Sequence, residues 1–512
     1  MGTLIAACIA IFVTQIANVV PAPIVGAIQQ DLHADGVALA WVTSAFLLPT
    51  AILELSFGVL GDLYGRKRVL MGGTVLMAVG GLITGAAGSV GQLVVGQALT
   101  GIGAGAIIPT SLAIAVAGAQ TAERRSRGIA TWTMALSLGT MAGVVLSGAL
   151  GEAISWHASF SAVAPLSLLS LIATAVLAGE SRSPEGRSLD WAGQATIAVG
   201  MFCLLYGIVQ GASTSWTSTS VIVTLAVGVL GLAAFIGVEN RVAAPMLHLA
   251  VFKNPAFSAA AAAAVIGMFS FMGCVYALSI RVGTLQAKTG LAAAAFFIVL
   301  QGVPCVLGPV LPRMMNRFGA RSLVSGGLVL LAAGEFWMAT LSLAQASLLD
   351  HLGPLLLAGF GFLFIVSAMT AAAVEAVPLS QTGMASAAIS TARDFGMCIG
   401  PAIISALALS AATDALPGRL KSVGLEGPQA GVVTNIAEQG GPYALLGAPL
   451  GPLREQAAGA ALQSLSHGFS VGLVICGVAS LVAALATALW LRESSDRVVA
   501  APIEAEPTAA PA

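Results

Sequence analysis

Charge is what this sequence lacks most: 21 Lys and Arg and 22 Asp and Glu are spread over 512 residues, 8% of the chain. A soluble protein carries about 25% charged residues, so a water-facing surface for a chain this long cannot be built from this composition. The formal net charge is −1, and with no basic face to neutralise phosphates a nucleic-acid partner is excluded. The six cysteines (Cys8, Cys203, Cys274, Cys305, Cys398 and Cys476) sit singly inside apolar runs and read as small buried hydrophobes, not as disulfides or metal ligands. The histidines His33, His157, His248, His351 and His467 stand near the ends of those runs without ligand spacing, so no metal is expected. No phosphate loop of the GKS or GKT kind, no Gly-x-Ser-x-Gly elbow and no His-Glu-x-x-His pair occurs. An ATP-driven pump and a membrane-embedded enzyme therefore both lack their chemistry, and no cofactor is expected.

What is present is hydrophobic residues, 57% of the chain, at a mean hydropathy of +0.95. A bilayer core takes about 20 apolar residues per helix, and about fourteen such stretches can be marked. In the first part they lie at about 3–25, 38–60, 69–88, 92–117, 128–150, 159–178, 191–212 and 219–238. The second part adds about 257–280, 290–311, 322–344, 351–373, 385–411 and 466–491. The fold class is thus an all-α polytopic membrane protein. The first run has no basic leader and is longer than a signal core, so it reads as a span.

Positive charges alternate with the spans. Arg66, Lys67 and Arg68 follow the second; Arg124, Arg125 and Arg127 the fourth; Arg182 and Arg187 the sixth; Arg241 and Lys253 the eighth; and Arg313, Arg317 and Arg321 surround the turn after the tenth. The opposite intervals carry Asp31, Asp35, Glu152 and Asp350, with Arg281 and Lys288 as the exception. By the positive-inside rule both termini face the cytoplasm of a cell inner membrane. Residues 412–465, on the other side, form an external segment that is partly ordered or a loop. The Ala-, Pro- and Glu-rich tail 494–512 reads as disordered.

Between the second and third spans stands Gly58-Val-Leu-Gly61-Asp62-Leu-Tyr-Gly65-Arg66-Lys67-Arg68. Gly61 and Gly65 let two spans reverse within a few residues, and Asp62 at a membrane boundary needs a cationic or helix-end partner. This loop resembles the signature of the major facilitator superfamily at every usual position. A weaker copy, Asn316-Arg317-Phe318-Gly319-Ala320-Arg321, follows the tenth span, as expected when two similar bundles are fused. The resemblance implies a six-helix bundle over 1–180, two additional helices over 181–250, and a second six-helix bundle over 251–493. It also implies that Gly58, Asp62, Gly65, Arg66 and Lys67 act as a conformational latch. Fourteen spans with this loop resemble the drug:proton antiporter branch, the multidrug efflux transporters tied to antibiotic resistance. Trp41-Val-Thr-Ser-Ala-Phe46 and Gly383-Met-Ala-Ser-Ala387 with Arg393 support the likeness.

The chain departs from that pattern in three spans. In the fourth, Gln97 stands where the family places an arginine four residues before Gly101. In the fifth, Gly143-Val-Val-Leu-Ser-Gly148 lacks the proline and one glycine of the antiporter signature, although a small-residue face for close packing remains. In the first, Thr14-Gln15-Ile16-Ala17-Asn18 carries no acid. A coupled proton must then use another acid, and an ionisable group in hydrocarbon normally faces a cavity or a partner. Glu54 and Asp394, with Arg393 beside it, are the proton-coupling candidates; Glu335 is a weaker one on a span that corresponds to an outer helix. Each has a bland alternative as a salt bridge or a hydrogen-bonded helix contact. Trp41, Trp132, Met268, Phe271, Met272, Tyr276 and Gln301 are substrate-cavity candidates, since aromatic and thioether surfaces suit bulky apolar ligands; ordinary helix packing is the competing reading for each.

The resemblance implies a monomeric secondary transporter that exports a small amphipathic drug or natural product by alternating access, coupled to protons re-entering the cell. A charge moving down 100 mV gains about 2.3 kcal/mol. The altered fifth-span motif keeps open a metabolite symporter or facilitator of the same fold; a membrane-embedded enzyme or sensor is the distant alternative.

Overall fold

The computed structural model describes residues 2–117, 122–182, 190–213, 216–242, 245, 249–377, 382–426 and 428–491; the tail expected at 494–512 lies outside them. Among the described residues there is no strand, and fourteen helices are long and apolar enough to cross a membrane. They are span 1 (Gly2–Leu32), 2 (Gly36–Tyr64), 3 (Arg66–Gly85), 4 (Val90–Val116), 5 (Arg127–Ala153), 6 (Trp156–Leu177), 7 (Trp191–Gly211) and 8 (Thr219–Glu239). The remainder are span 9 (Pro255–Leu285), 10 (Gly290–Leu307), 11 (Arg317–Thr340), 12 (Leu348–Ala373), 13 (Ala388–Ser422) and 14 (Gly451–Trp490). The chain is a multi-pass membrane protein.

Local chemistry sets the ends of these helices. The Asp35 carboxylate accepts from the Ala38 amide at 2.7 Å and caps span 2, meeting one of the donors a helix start leaves free. Asn254 does the same for span 9 through the Ala256 amide, with Pro255 in the first helical position, where its missing N–H costs nothing. Span 1 is two helices joined at Val20–Pro21. Span 9 ends in a π-helical turn, Ile280–Leu285. With spans alternating in direction, Gly65 marks one face of the protein, here the motif face. The turns at 33–35 and 286–289 lie on the other, the far face.

Spans 1–6 pack among themselves, as do spans 9–14, and the two groups meet where span 2 lies on span 13 and span 5 on span 10. Glycine makes these meetings close. A Cβ on Gly148 of span 5 would stand 2.6 Å from Ala294 Cβ and 2.8 Å from the Gly290 carbonyl of span 10. Gly26 of span 1 sits backbone-to-backbone on Gly283 of span 9. Without a solvent to drive helices together in lipid, such small-residue contacts supply the packing. These approaches lie toward the far face. There the Glu152 carboxylate also accepts from the Leu291 amide at 2.9 Å, and the Gly36 carbonyl accepts from Ser405 Oγ at 3.1 Å.

Spans 7 and 8 form a tight hairpin, with Gly200 and Gly231 against each other. Span 7 lies along spans 2 and 13, while span 8 exposes Ile222, Val223, Val229 and Leu230. The 412–465 segment is helical over most of its length. Span 13 continues to Ser422, a helix runs over Pro428–Gly447, and span 14 starts its helix at Arg454. Leu416, Leu420, Leu425, Val433, Leu445 and Ala460 bury one another in a small core of their own. From this cap Tyr443 reaches the Gly36 position at the start of span 2, where a Cβ would stand 3.0 Å from its ring. Burial holds the Tyr443 hydroxyl well above the usual tyrosine range, reinforced by Tyr276 and Asp35 nearby.

Candidate functional site

The turn of span 2 that carries Glu54 follows Pro49. Pro49 offers no N–H, so the helix is one bond short just before Glu54. Thr50 Oγ1 donates to the Phe46 carbonyl at 2.8 Å and to the Gly101 carbonyl of span 4 at 2.9 Å, tying this turn to its neighbour. Gly101 lets span 4 come this near: a Cβ there would stand 3.0 Å from Phe46 Cα. One turn further toward the far face, Gln97 is buried and its amide donates to the Val42 carbonyl at 3.3 Å. Gln97 and Gly101 thus join spans 4 and 2.

Glu54 faces span 13 and comes within hydrogen-bonding reach of Asp394. Asp394 is 8% exposed, and its Oδ1 accepts from the Arg393 guanidinium at 2.7 Å. Glu54 Oε2 and Asp394 Oδ2 are both buried and neither receives a hydrogen bond from the described residues. Two carboxylates and one guanidinium carry a charge of −1; one shared proton makes the group neutral and gives the two orphan oxygens a bond. Without it the two carboxylates repel; two like charges at about 4 Å in an effective dielectric of about 20 do so by about 4 kcal/mol. One acid belongs to each group of helices.

The signature loop lies one turn and a half beyond. Asp62, nearly buried, accepts from Arg66 through Nε at 3.0 Å and Nη2 at 2.8 Å. Gly65 sits at φ +116, and a Cβ there would meet the Glu180 carboxylate at 2.7 Å. Glu180, just past span 6, accepts from the Lys67 amide at 3.0 Å and faces Arg68 at 3.8 Å, while Lys67 Nζ donates to the Ala175 carbonyl at 2.8 Å. Gly58 faces Pro109 of span 4. These contacts tie the loop to the end of span 6, within its own group of helices.

The fifth-span glycines hold two different seams. Gly143 faces span 1, where a Cβ would stand 2.8 Å from Ile16 Cα, and Gly148 faces span 10. The Ser147 hydroxyl between them donates to the Val20 carbonyl at 2.7 Å, at the break in span 1.

Of the aromatic and thioether candidates, Met268 and Phe271 are fully buried in the second group, Phe271 stacked on Phe362 at 3.9 Å between ring centres. Met272 and Gln301 are half-buried. Trp132 is buried and its indole donates to Ser111 Oγ at 3.1 Å, joining spans 5 and 4. Trp41 packs on Phe202 and Tyr206 of span 7, at 6.3 and 6.2 Å between ring centres. Tyr276 spans the seam at the far face: its hydroxyl lies 3.4 Å from the Gly36 carbonyl and 3.3 Å from Ser405 Oγ. Glu335, on span 11, is completely buried and turned inward, its Oε2 accepting from Ser480 of span 14 at 3.3 Å.

Two polar features carried no sequence signal. Arg281, expected in the interval between spans 9 and 10, lies inside span 9 because the π-helical turn prolongs it. It is 4% exposed and donates to the carbonyls of Leu341 (2.7 Å) and Ser342 (2.6 Å) and to His351 Nε2 (3.2 Å). It is therefore a buried clamp and not a topology charge. Gln194 of span 7 holds the Glu54 turn; an isolated glutamine at a helix start offers no pattern by which sequence could have found it.

A bundle of this kind, two helix groups meeting over a buried acid pair, is that of a membrane transporter. The model of the Major Facilitator Superfamily matches residues 7–401, and the chain belongs to that family. It is 30% identical over 380 residues to the Multidrug resistance protein Stp of Mycobacterium tuberculosis, covering 74% of this chain and 70% of that one. It is 27% identical over 500 residues to the Tetracenomycin C resistance and export protein of Streptomyces glaucescens, covering 96% and 91%. Among solved structures, the nucleoside transporter NupG superposes with a TM-score of 0.62 over 96% of this chain and 100% of that one, at 10% identity, a likeness of fold alone.

Proposed function

We propose that this transporter exports amphipathic drugs or natural products across the cell membrane by alternating access, driven by protons entering through Glu54 and Asp394. The observation that carries this reading is the meeting of those two acids, one from each group of helices, with Arg393 paired to Asp394. One proton neutralises the cluster and lets the seam stay closed near the motif face; its loss leaves a repelling pair. The clustering of Arg66, Lys67, Arg68, Arg124 and Arg127 on the motif face supports placing that face, and both termini, in the cytoplasm. The far face, closed by the Gly26–Gly283 and Gly148–Gly290 approaches, is then external, and the protein works as a monomer with one substrate path between the groups. Export is supported by the relatives, one a multidrug resistance protein and one a tetracenomycin C exporter.

The second reading, a metabolite symporter or facilitator, is favoured by one observation: the fifth span carries Val144 and Val145 after Gly143 and so lacks the antiporter signature's proline. Ethidium efflux from a pump-deficient bacterium separates the two. Efflux that a protonophore abolishes, and that Glu54→Gln or Asp394→Asn also abolishes, supports proton-coupled export. Efflux that survives the protonophore favours a facilitator.

A further inference from the structure

We infer that Gln194, on the inserted span 7, is a positioning residue for proton coupling: it fixes the turn of span 2 that presents Glu54 to Asp394. This rests on the reading of that acid pair as the proton site. The Gln194 side chain uses both ends of its amide on one helical turn. Its Nε2 donates to the Ile52 carbonyl at 3.0 Å, and its Oε1 accepts from the Ser56 hydroxyl. Ile52 and Ser56 lie one turn apart on one face of span 2, and Glu54, two residues from each, projects from the opposite side of that turn, so a single side chain backs the turn that presents the acid. A carbonyl has two lone pairs, so Ile52 accepts from Gln194 without surrendering its bond within the helix.

The turn needs such a grip. Pro49 leaves the helix a bond short immediately before it, and Thr50 fastens only its other flank, to span 4. Gln194 is itself fixed, in the first turn of span 7 that the Asp190 carboxylate caps by accepting from the Gly193 amide at 2.7 Å. Span 7 also packs on span 13, which carries Asp394, and a second attachment to span 2 follows toward the far face, where Trp41 meets Phe202 and Tyr206. The inserted helix thus touches both arms of the acid pair. The consequence is that span 7 belongs to the coupling machinery and does not merely separate two bundles.

The test needs no known substrate. Infrared titration of the purified protein in lipid vesicles reads the carbonyl stretch of protonated carboxyl groups as pH rises. The wild type is expected to lose a band that Glu54→Gln and Asp394→Asn each remove. In Gln194→Leu the midpoint of that band moves by about one pH unit or more, the scale of a changed local environment. Ser56→Ala, a milder variant that keeps the fold if Gln194→Leu does not, moves it the same way by less. If both Gln194→Leu and Ser56→Ala titrate as wild type while the acid variants remove the band, the positioning role is wrong and the acid pair stands. If Glu54→Gln and Asp394→Asn leave the band intact, the acid-pair reading fails, and this inference with it.

Discussion

Glu54 on span 2 and Asp394 on span 13 meet across the seam between the two groups of helices, each with a buried carboxyl oxygen that accepts no hydrogen bond from the described residues. Arg393 pairs with Asp394 at 2.7 Å, so the cluster sets one guanidinium against two carboxyl groups.

Substituting either acid tests that arrangement. Glu54→Gln or Asp394→Asn is expected to slow protonophore-sensitive efflux by about 100-fold, in the range of losing a proton-transfer group. Binding of the transported compound, measured by fluorescence quenching, should change little. Unchanged coupled efflux in both variants would remove the pair from the mechanism.

The far-face seam is closed by the absence of a side chain at Gly148. A valine there must displace Ala294 and the Gly290 carbonyl, which a Cβ alone would meet at 2.6 and 2.8 Å. Overpacking of this kind costs about 1–3 kcal/mol, enough to favour the far-face-open form by about tenfold. The check is maleimide labelling of Ser405→Cys, beside the Gly36 carbonyl, in a background without the native cysteines. Faster labelling in Gly148→Val is expected; an unchanged rate means the seam does not report on opening.

Arg281→Met should weaken the fold more than a buried charge usually would on conservative replacement. It strips donors from the Leu341 and Ser342 carbonyls and from His351 Nε2 at once. Unmet buried acceptors cost about 1–3 kcal/mol each, so thermal unfolding should fall by several degrees. Arg281→Lys is expected to restore only part of this, since an ammonium lacks the planar fork.

Gly65→Ala puts a side chain at φ +116 and within 2.7 Å of the Glu180 carboxylate. Strain of about 1–3 kcal/mol is expected, seen as reduced transport rate and lower thermal stability. Adding Glu180→Ala should relieve the collision but not the backbone strain, giving partial recovery. Full recovery would assign the whole effect to the carboxylate.

The fourteen spans were legible because hydrocarbon demands a long apolar run for each one, and the loop at Gly58–Arg68 because tight reversal and charge placement leave few alternatives. Glu54, Asp394 and Arg393 stood out singly as ionisable groups in apolar surroundings. Their meeting did not, since it depends on how two groups of helices dock, which no local pattern records. Trp41 illustrates the same limit: an aromatic opening span 2 suits a cavity as well as the face of span 7 that it occupies. Arg281 was misplaced because a π-helical turn carries a span past the point where hydrophobicity ends. Glu335, assigned by span order to the perimeter, turns inward to Ser480, and only rotation about the helix axis decides that.

Span 7 lies along the edge where spans 2 and 13 meet, while among the described residues the edge between spans 5 and 10 has no comparable strut. The two edges therefore cannot part equally. A rocking motion of the helix groups is expected to pivot on the strutted edge, like a door on its jamb, and to open widest at the bare one. A bulky molecule in the membrane would then find one threshold, not two.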